Sequence, residues 1–238
     1  MNINNKLIEL NENGNIPREN ENFTSFFERI TKQKLNPNFG FKIDYSSKNI
    51  RFYELACTLT DGDHTVVEIN PIFLKKKIYL GVSKDEIIEH EKVHYIRQGF
   101  KGNLFEESLA YFQSPSWIRR YLGGLLQTPK ESVLAIFFSF FILITTLIDF
   151  YTPYFMYGYA VLIFSLSLRS VICHIFLQKL KKKLDAITKF RGFECLIRLS
   201  QNEIIKLNKL DSWNILKYLE ESKNCPRIAM ICAAYLEG

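Results

Sequence analysis

Residues 83–99 read Ser-Lys-Asp-Glu-Ile-Ile-Glu-His-Glu-Lys-Val-His-Tyr-Ile-Arg-Gln-Gly. Ser83 and Glu86 have the S-x-x-E form of a capping box, and Asp85 and Glu86 complement the positive end of a helix dipole, so a helix is predicted to start at Ser83. Ile87, Ile88, Val93 and Ile96 continue it, and Gly99 is its natural stop. Inside this helix lies His90-Glu91-Lys92-Val93-His94, an H-E-x-x-H motif. Residues four apart stack on one helix face, so both imidazoles can reach one Zn²⁺ at about 2.0 to 2.1 Å while Glu91 stands beside water at the metal. The plain alternative is a solvated helix that happens to carry two histidines.

Catalytic zinc usually has three protein ligands and keeps a fourth position for water, so a third ligand is sought downstream. Gly99 and Gly102 let the chain double back, and a second helix is expected from near Leu104 through Glu107, Leu109, Ala110 and Phe112. Its first turn carries Glu106 and Glu107. Glu107 is preferred because Ala110 places a small residue one turn later, where helices must approach closely around a metal; Glu106 is the fallback. Tyr95, Tyr111 and Arg97 could donate to a developing oxyanion, although packing is the commoner role for such residues.

His90, Glu91, His94 and Glu107 with Ala110 resemble the H-E-x-x-H plus E-x-x-A arrangement of gluzincin-type zinc metallopeptidases, over roughly residues 65 to 112. The resemblance implies a small zincin-like catalytic domain, zinc on His90, His94 and Glu107, Glu91 as general base, and a peptide or protein substrate. It also implies an upstream strand along the cleft to which substrate adds as a further strand, for which Thr65 to Asn70 or Lys77 to Leu80 are available. Membrane-embedded peptidases of the CaaX type similarly join this motif to transmembrane helices. Here Glu107 precedes the apolar segments instead of following them, and no subfamily is assigned.

Upstream of the motif, residues 39–44 and part of 50–58 alternate apolar and polar, and the second run leads through Thr60-Asp61-Gly62-Asp63 into Thr65-Val66-Val67-Glu68-Ile69, a hairpin signal. Lys75, Lys76 and Lys77 read as a solvated face. Phe23, Phe26, Phe27 and Ile30 have helical spacing and predict a short amphipathic helix ending before Asn36-Pro37. Residues 1–22, rich in Asn, Glu and Lys, carry no apolar signal-peptide core.

Downstream, residues 132–148 contain no charge and predict a transmembrane helix. A second apolar run extends from Tyr154 to Leu168 and, past Arg169, from Val171 to Leu177; Arg169 either snorkels to the interface or marks the membrane exit. Arg119, Arg120 and Lys130 precede the first span and Lys179, Lys181, Lys182 and Lys183 follow the second, with no Lys or Arg between the spans. This bias places both termini and the motif in the cytoplasm. The basic cluster is expected against anionic lipid heads, so the net charge of +6 does not call for nucleic acid. Residues 190–238 read as amphipathic helices, with Ser200 and Glu203 as a second capping box, Asp211 or Ser212 opening one helix and Pro226 another; Glu194 and Arg198 read as a surface pair. Five scattered cysteines with no C-x-x-C pair argue against a disulfide framework or a zinc knuckle.

Together these readings predict an α+β chain with short antiparallel strands and the H-E-x-x-H helix, a transmembrane helical hairpin and a C-terminal helical subdomain. The expected divisions are 1–36, 37–128, 129–178 and 179–238. Two functions follow: a membrane-bound zinc metallopeptidase, or a membrane-anchored scaffold or regulatory protein without catalysis.

Overall fold

The computed structural model describes residues 3–34, 41–50, 54–61, 64–102, 104–127, 129–147 and 153–237. The chain forms two compact units, residues 1–101 with 178–238, and residues 102–177.

In the first unit the strands build a small mixed sheet. Strands β1 (Phe41–Asp44), β2 (Ala56–Asp61) and β3 (His64–Ile69) lie in the order β1-β3-β2. The expected β2/β3 hairpin is antiparallel, with Thr58 opposite Val67; its turn residues Gly62 and Asp63 lie outside the described residues. The β1/β3 pair is parallel, which corrects the expectation of antiparallel strands only. After a 3-10 turn at Pro71–Leu74, capped by Asn70, a two-residue hairpin joins β4 (Ile78–Tyr79) to β5 (Val82–Ser83). Helix α3 (Lys84–Arg97) starts where the capping signal places it, with the Ser83 hydroxyl accepting the Glu86 N–H at 3.1 Å. Val67, Ile69, Phe73 and Ile87 close the core between sheet and helix. Each such buried side chain contributes about 1.5–3 kcal/mol relative to exposure.

Two helices precede the sheet. Helix α2 (Phe23–Lys34) buries Phe26 and Ile30 as its spacing predicts, while α1 (Ile3–Glu12) lies in a stretch read only as polar and buries Leu7 and Leu10.

The rest of this unit is helical: the end of α7 (Pro153–Asp185), then α8 (Gly192–Leu196), α9 (Gln201–Asn208), α10 (Ser212–Glu221) and α11 (Pro226–Tyr235). Ser200 and Glu203 form the complete capping box, Asp211 caps α10, and Pro226 sits in the first turn of α11. Helix α1 docks on α11, where the Asn11 amide donates to the Tyr235 hydroxyl at 3.0 Å. Arg198 is not a surface residue: it is buried and its guanidinium donates to the Asn11 side chain and to the Glu194 backbone carbonyl. Burial pushes the Cys195 and Cys232 thiols up to about 12 and about 11, so both stay protonated and inert at neutral pH. Part of the basic cluster is also used internally, since Lys183 Nζ donates to the carbonyls of Asn208 and Leu210 and Lys181 pairs with Asp185 at 2.5 Å.

The second unit holds α4 (Glu106–Ala110), α5 (Trp117–Leu122), α6 (Pro129–Leu147) and the greater part of α7. The two apolar runs around Arg169 form one continuous helix of 33 residues. Among the described residues α7 is the one helix long and apolar enough to cross a membrane by itself; α6 passes only together with α5, across a bend of 95°. Arg169 makes a two-pronged ion pair with Glu131, at 2.7 and 3.0 Å, and also donates to the Leu125 carbonyl. The Ser139 and Tyr159 hydroxyls meet at 2.8 Å, so α6 and α7 run antiparallel side by side. Phe137, Phe140, Val161 and Phe164 point outward from the pair, an apolar band suited to lipid. His174 is buried between the rings of Phe112 and Tyr121.

Candidate metal centre

Helix α3 is fixed at its C-terminal end from two directions. Arg97 Nη1 donates to the carbonyls of Ile197 and Leu199 at 3.1 and 2.9 Å, and the Thr65 hydroxyl donates to Gln98 Oε1 at 2.9 Å. The segment before α2 straps the exit: the Glu19 N–H donates to the Gly99 carbonyl, and the Lys101 N–H to the Glu19 carboxylate. A side chain at Gly14, whose φ is +73°, would meet the Tyr95 ring at 2.9 Å, so the chain passes directly over that ring.

On this fixed helix the half-buried His90 and His94 face each other, Nε2 to Nε2 at 3.1 Å, with rings 4.8 Å apart at 75°. Two imidazoles approach this closely when one N–H donates to the other ring or when both lone pairs address one cation. Ligands around tetrahedral zinc stand about 3.3 Å apart, so the spacing suits a shared metal. A carboxylate completes the set: the ligand atoms of His90, His94 and Glu107 all lie within 4.8 Å of one another, the one such group among the described residues. Glu107 stands in the first turn of α4, whose following residues Ser108, Leu109 and Ala110 are buried. The donor set of two imidazoles and one carboxylate is that of gluzincin-type zinc, and the residues fit the ion.

The electrostatics agree. Burial, with the neighbouring His94, holds the His90 ring well below the usual imidazole range, which keeps it neutral as a ligand must be. Glu91 is buried one position along, and burial raises its carboxyl above the usual carboxylate range. His94 and a 2.6 Å hydrogen bond from the Thr58 hydroxyl to Glu91 Oε2 hold it down in part, while Glu54 pushes it up. A carboxylate so tuned is suited to accept a proton from water.

The candidate oxyanion donors lie elsewhere. Arg97 is committed to the two backbone carbonyls, Tyr95 is buried beside Gly14, and the Tyr111 ring packs where a side chain at Gly123 would sit. The candidate substrate strands change too. Thr65 to Ile69 form the central strand, paired on both sides, so that segment cannot take up a further strand; β2 is the outer strand. Thr58 on β2 escaped sequence reading, because an alternating strand does not show which helix residue its inward hydroxyl will meet.

No protein-family model, curated protein or solved structure matches the chain. The site itself defines the class. A His-His-Glu zinc cluster with an adjacent carboxylate, in a chain bearing a membrane-length helix, is the arrangement of a membrane-associated zinc metallopeptidase.

Proposed function

We propose that His90, His94 and Glu107 hold zinc and that Glu91 is the general base of a membrane-bound peptidase cutting peptide or protein substrates. The convergence of the three ligand atoms beside a buried Glu91 carries this reading. Bound zinc supplies Lewis-acid polarisation of the scissile carbonyl and lowers the pKa of water. Glu91 takes the proton from the attacking water and delivers it to the leaving amine. Thr58 positions the Glu91 carboxylate from β2, the outer strand, to which we assign the alignment of an extended substrate.

Helices α6 and α7 form the two-span hairpin of this reading, with the Arg169–Glu131 pair near its cytoplasmic edge. The basic residues flanking the pair put both chain ends and the site in the cytoplasm. Functionally the chain divides into the segment 1–36, the catalytic region 37–128, the hairpin 129–178 and the helical region 179–238.

Metal analysis of the detergent-solubilised full chain tests the reading. Stoichiometric zinc is expected in the wild type and none in His94→Ala; a scaffold would carry none in either. A second expected outcome concerns pH. The Thr58 hydrogen bond stabilises ionised Glu91, so Thr58→Val raises the carboxyl further and moves the acid limb of the kcat/KM profile to higher pH. An unmoved limb would remove Thr58 from the site's proton chemistry.

A further inference from the structure

The hairpin that leads into the zinc helix has two unlike faces. Inward, Phe73 is buried and meets the Tyr79 ring edge-on at 6.2 Å, and the Lys84 N–H donates to the Lys77 carbonyl at 3.0 Å, so the hairpin is anchored. Outward stand three aliphatic side chains and three lysines within seven residues: Leu74, Ile78 and Leu80, exposed to 64%, 64% and 74%, with Lys75, Lys76 and Lys77, also exposed.

The turn sharpens the contrast. Tyr79 pairs with Val82, leaving Leu80-Gly81 as a two-residue turn with φ of +51° and +74°. Positive φ at both central positions is the geometry for which Asn-Gly is the favoured sequence. Leucine enters the left-handed region only against steric strain, and here it is also the most exposed residue of the hairpin. Nothing in the folding of this turn is served by leucine, and strain of this kind points to function.

We infer that this hairpin docks the unit on the surface of an anionic bilayer, with Leu74, Ile78 and Leu80 entering the interface and Lys75, Lys76 and Lys77 meeting acidic headgroups. Aliphatic side chains interleaved with cations suit a surface that is apolar below and negative above. A chain with its own membrane-length helix always has that surface at hand. Since Ser83 ends the hairpin and caps α3, docking fixes the approach of the zinc helix to the bilayer. The inference rests on the membrane reading above and is independent of zinc.

The test uses the full chain in vesicles of phosphatidylcholine, with or without phosphatidylserine. Resistance of the chain to alkaline extraction checks the membrane reading separately. Leu80→benzoylphenylalanine, irradiated and analysed by mass, is expected to give lipid adducts in the vesicles with phosphatidylserine. Each lysine near an anionic surface raises occupancy by a factor of about five, so the triple change Lys75→Glu, Lys76→Glu, Lys77→Glu is expected to cut adducts at least about 100-fold. An unaltered melting temperature shows that the triple variant is folded. Absence of lipid adducts from a fully inserted chain, adducts indifferent to phosphatidylserine or to the lysines, or cross-links in native membranes to an acidic protein instead of lipid would each overturn the inference.

Discussion

Glu91→Gln is expected to keep its zinc and to lose peptide hydrolysis by about 10²- to 10⁴-fold in kcat, the usual share of a general acid–base group. The amide has the shape of the carboxylate and can still accept the Thr58 hydroxyl, so the site's packing survives. What disappears is the capacity to take a proton from water. The three ligand-bearing side chains are untouched, which makes the expected pattern, full metal with no turnover, hard to mimic by misfolding. Cleavage at the wild-type rate would assign the base elsewhere; a comparison of cellular protein N-termini between wild type and this variant would also expose the substrates.

The second large effect is expected at the first turn of α4. Structural zinc binds with about 10–16 kcal/mol over four ligands, so one ligand is worth roughly 2.5–4 kcal/mol, or about 10²- to 10³-fold in affinity. Glu107→Ala is expected to weaken zinc by that factor, measured by competition with a chelator, and Glu106→Ala to leave affinity within about twofold. The reverse result would make Glu106 the ligand. Both residues have exposure intermediate between core and surface, so neither substitution opens a core cavity.

The motif helix was legible from residues 83–99 because every cue for it is local: a capping serine, acids in the first turn and a glycine after the last. The β2/β3 hairpin and the caps at Ser200 and Asp211 were legible for the same reason. What escaped depends on partners distant in sequence. Helix α1 owes its docking to Asn11 meeting Tyr235, and Arg198 is buried because Asn11 answers it from the same helix. The parallel β1/β3 pairing leaves no turn signature between adjacent segments, so the central place of β3 could not be seen. Arg169 offered two readings from its neighbours alone; Glu131, on another helix, explains its position in α7. At the zinc centre the ligands were legible from spacing, whereas Thr58, which shares the proton chemistry of Glu91, was not.

The grip of Arg97 on the carbonyls of Ile197 and Leu199 has a consequence for biosynthesis. A ribosome has made the H-E-x-x-H helix long before it makes the residues that pin the end of that helix. Between the two come α6 and α7, which enter the bilayer as they emerge. The α1–α11 contact closes later still, since its partners, Asn11 and Tyr235, come from opposite reaches of the chain. Loop closure over such separations makes this assembly a late event in folding. The nascent peptidase is thus held unfinished through membrane insertion, and its cutting centre becomes rigid only on a chain already delivered to its membrane.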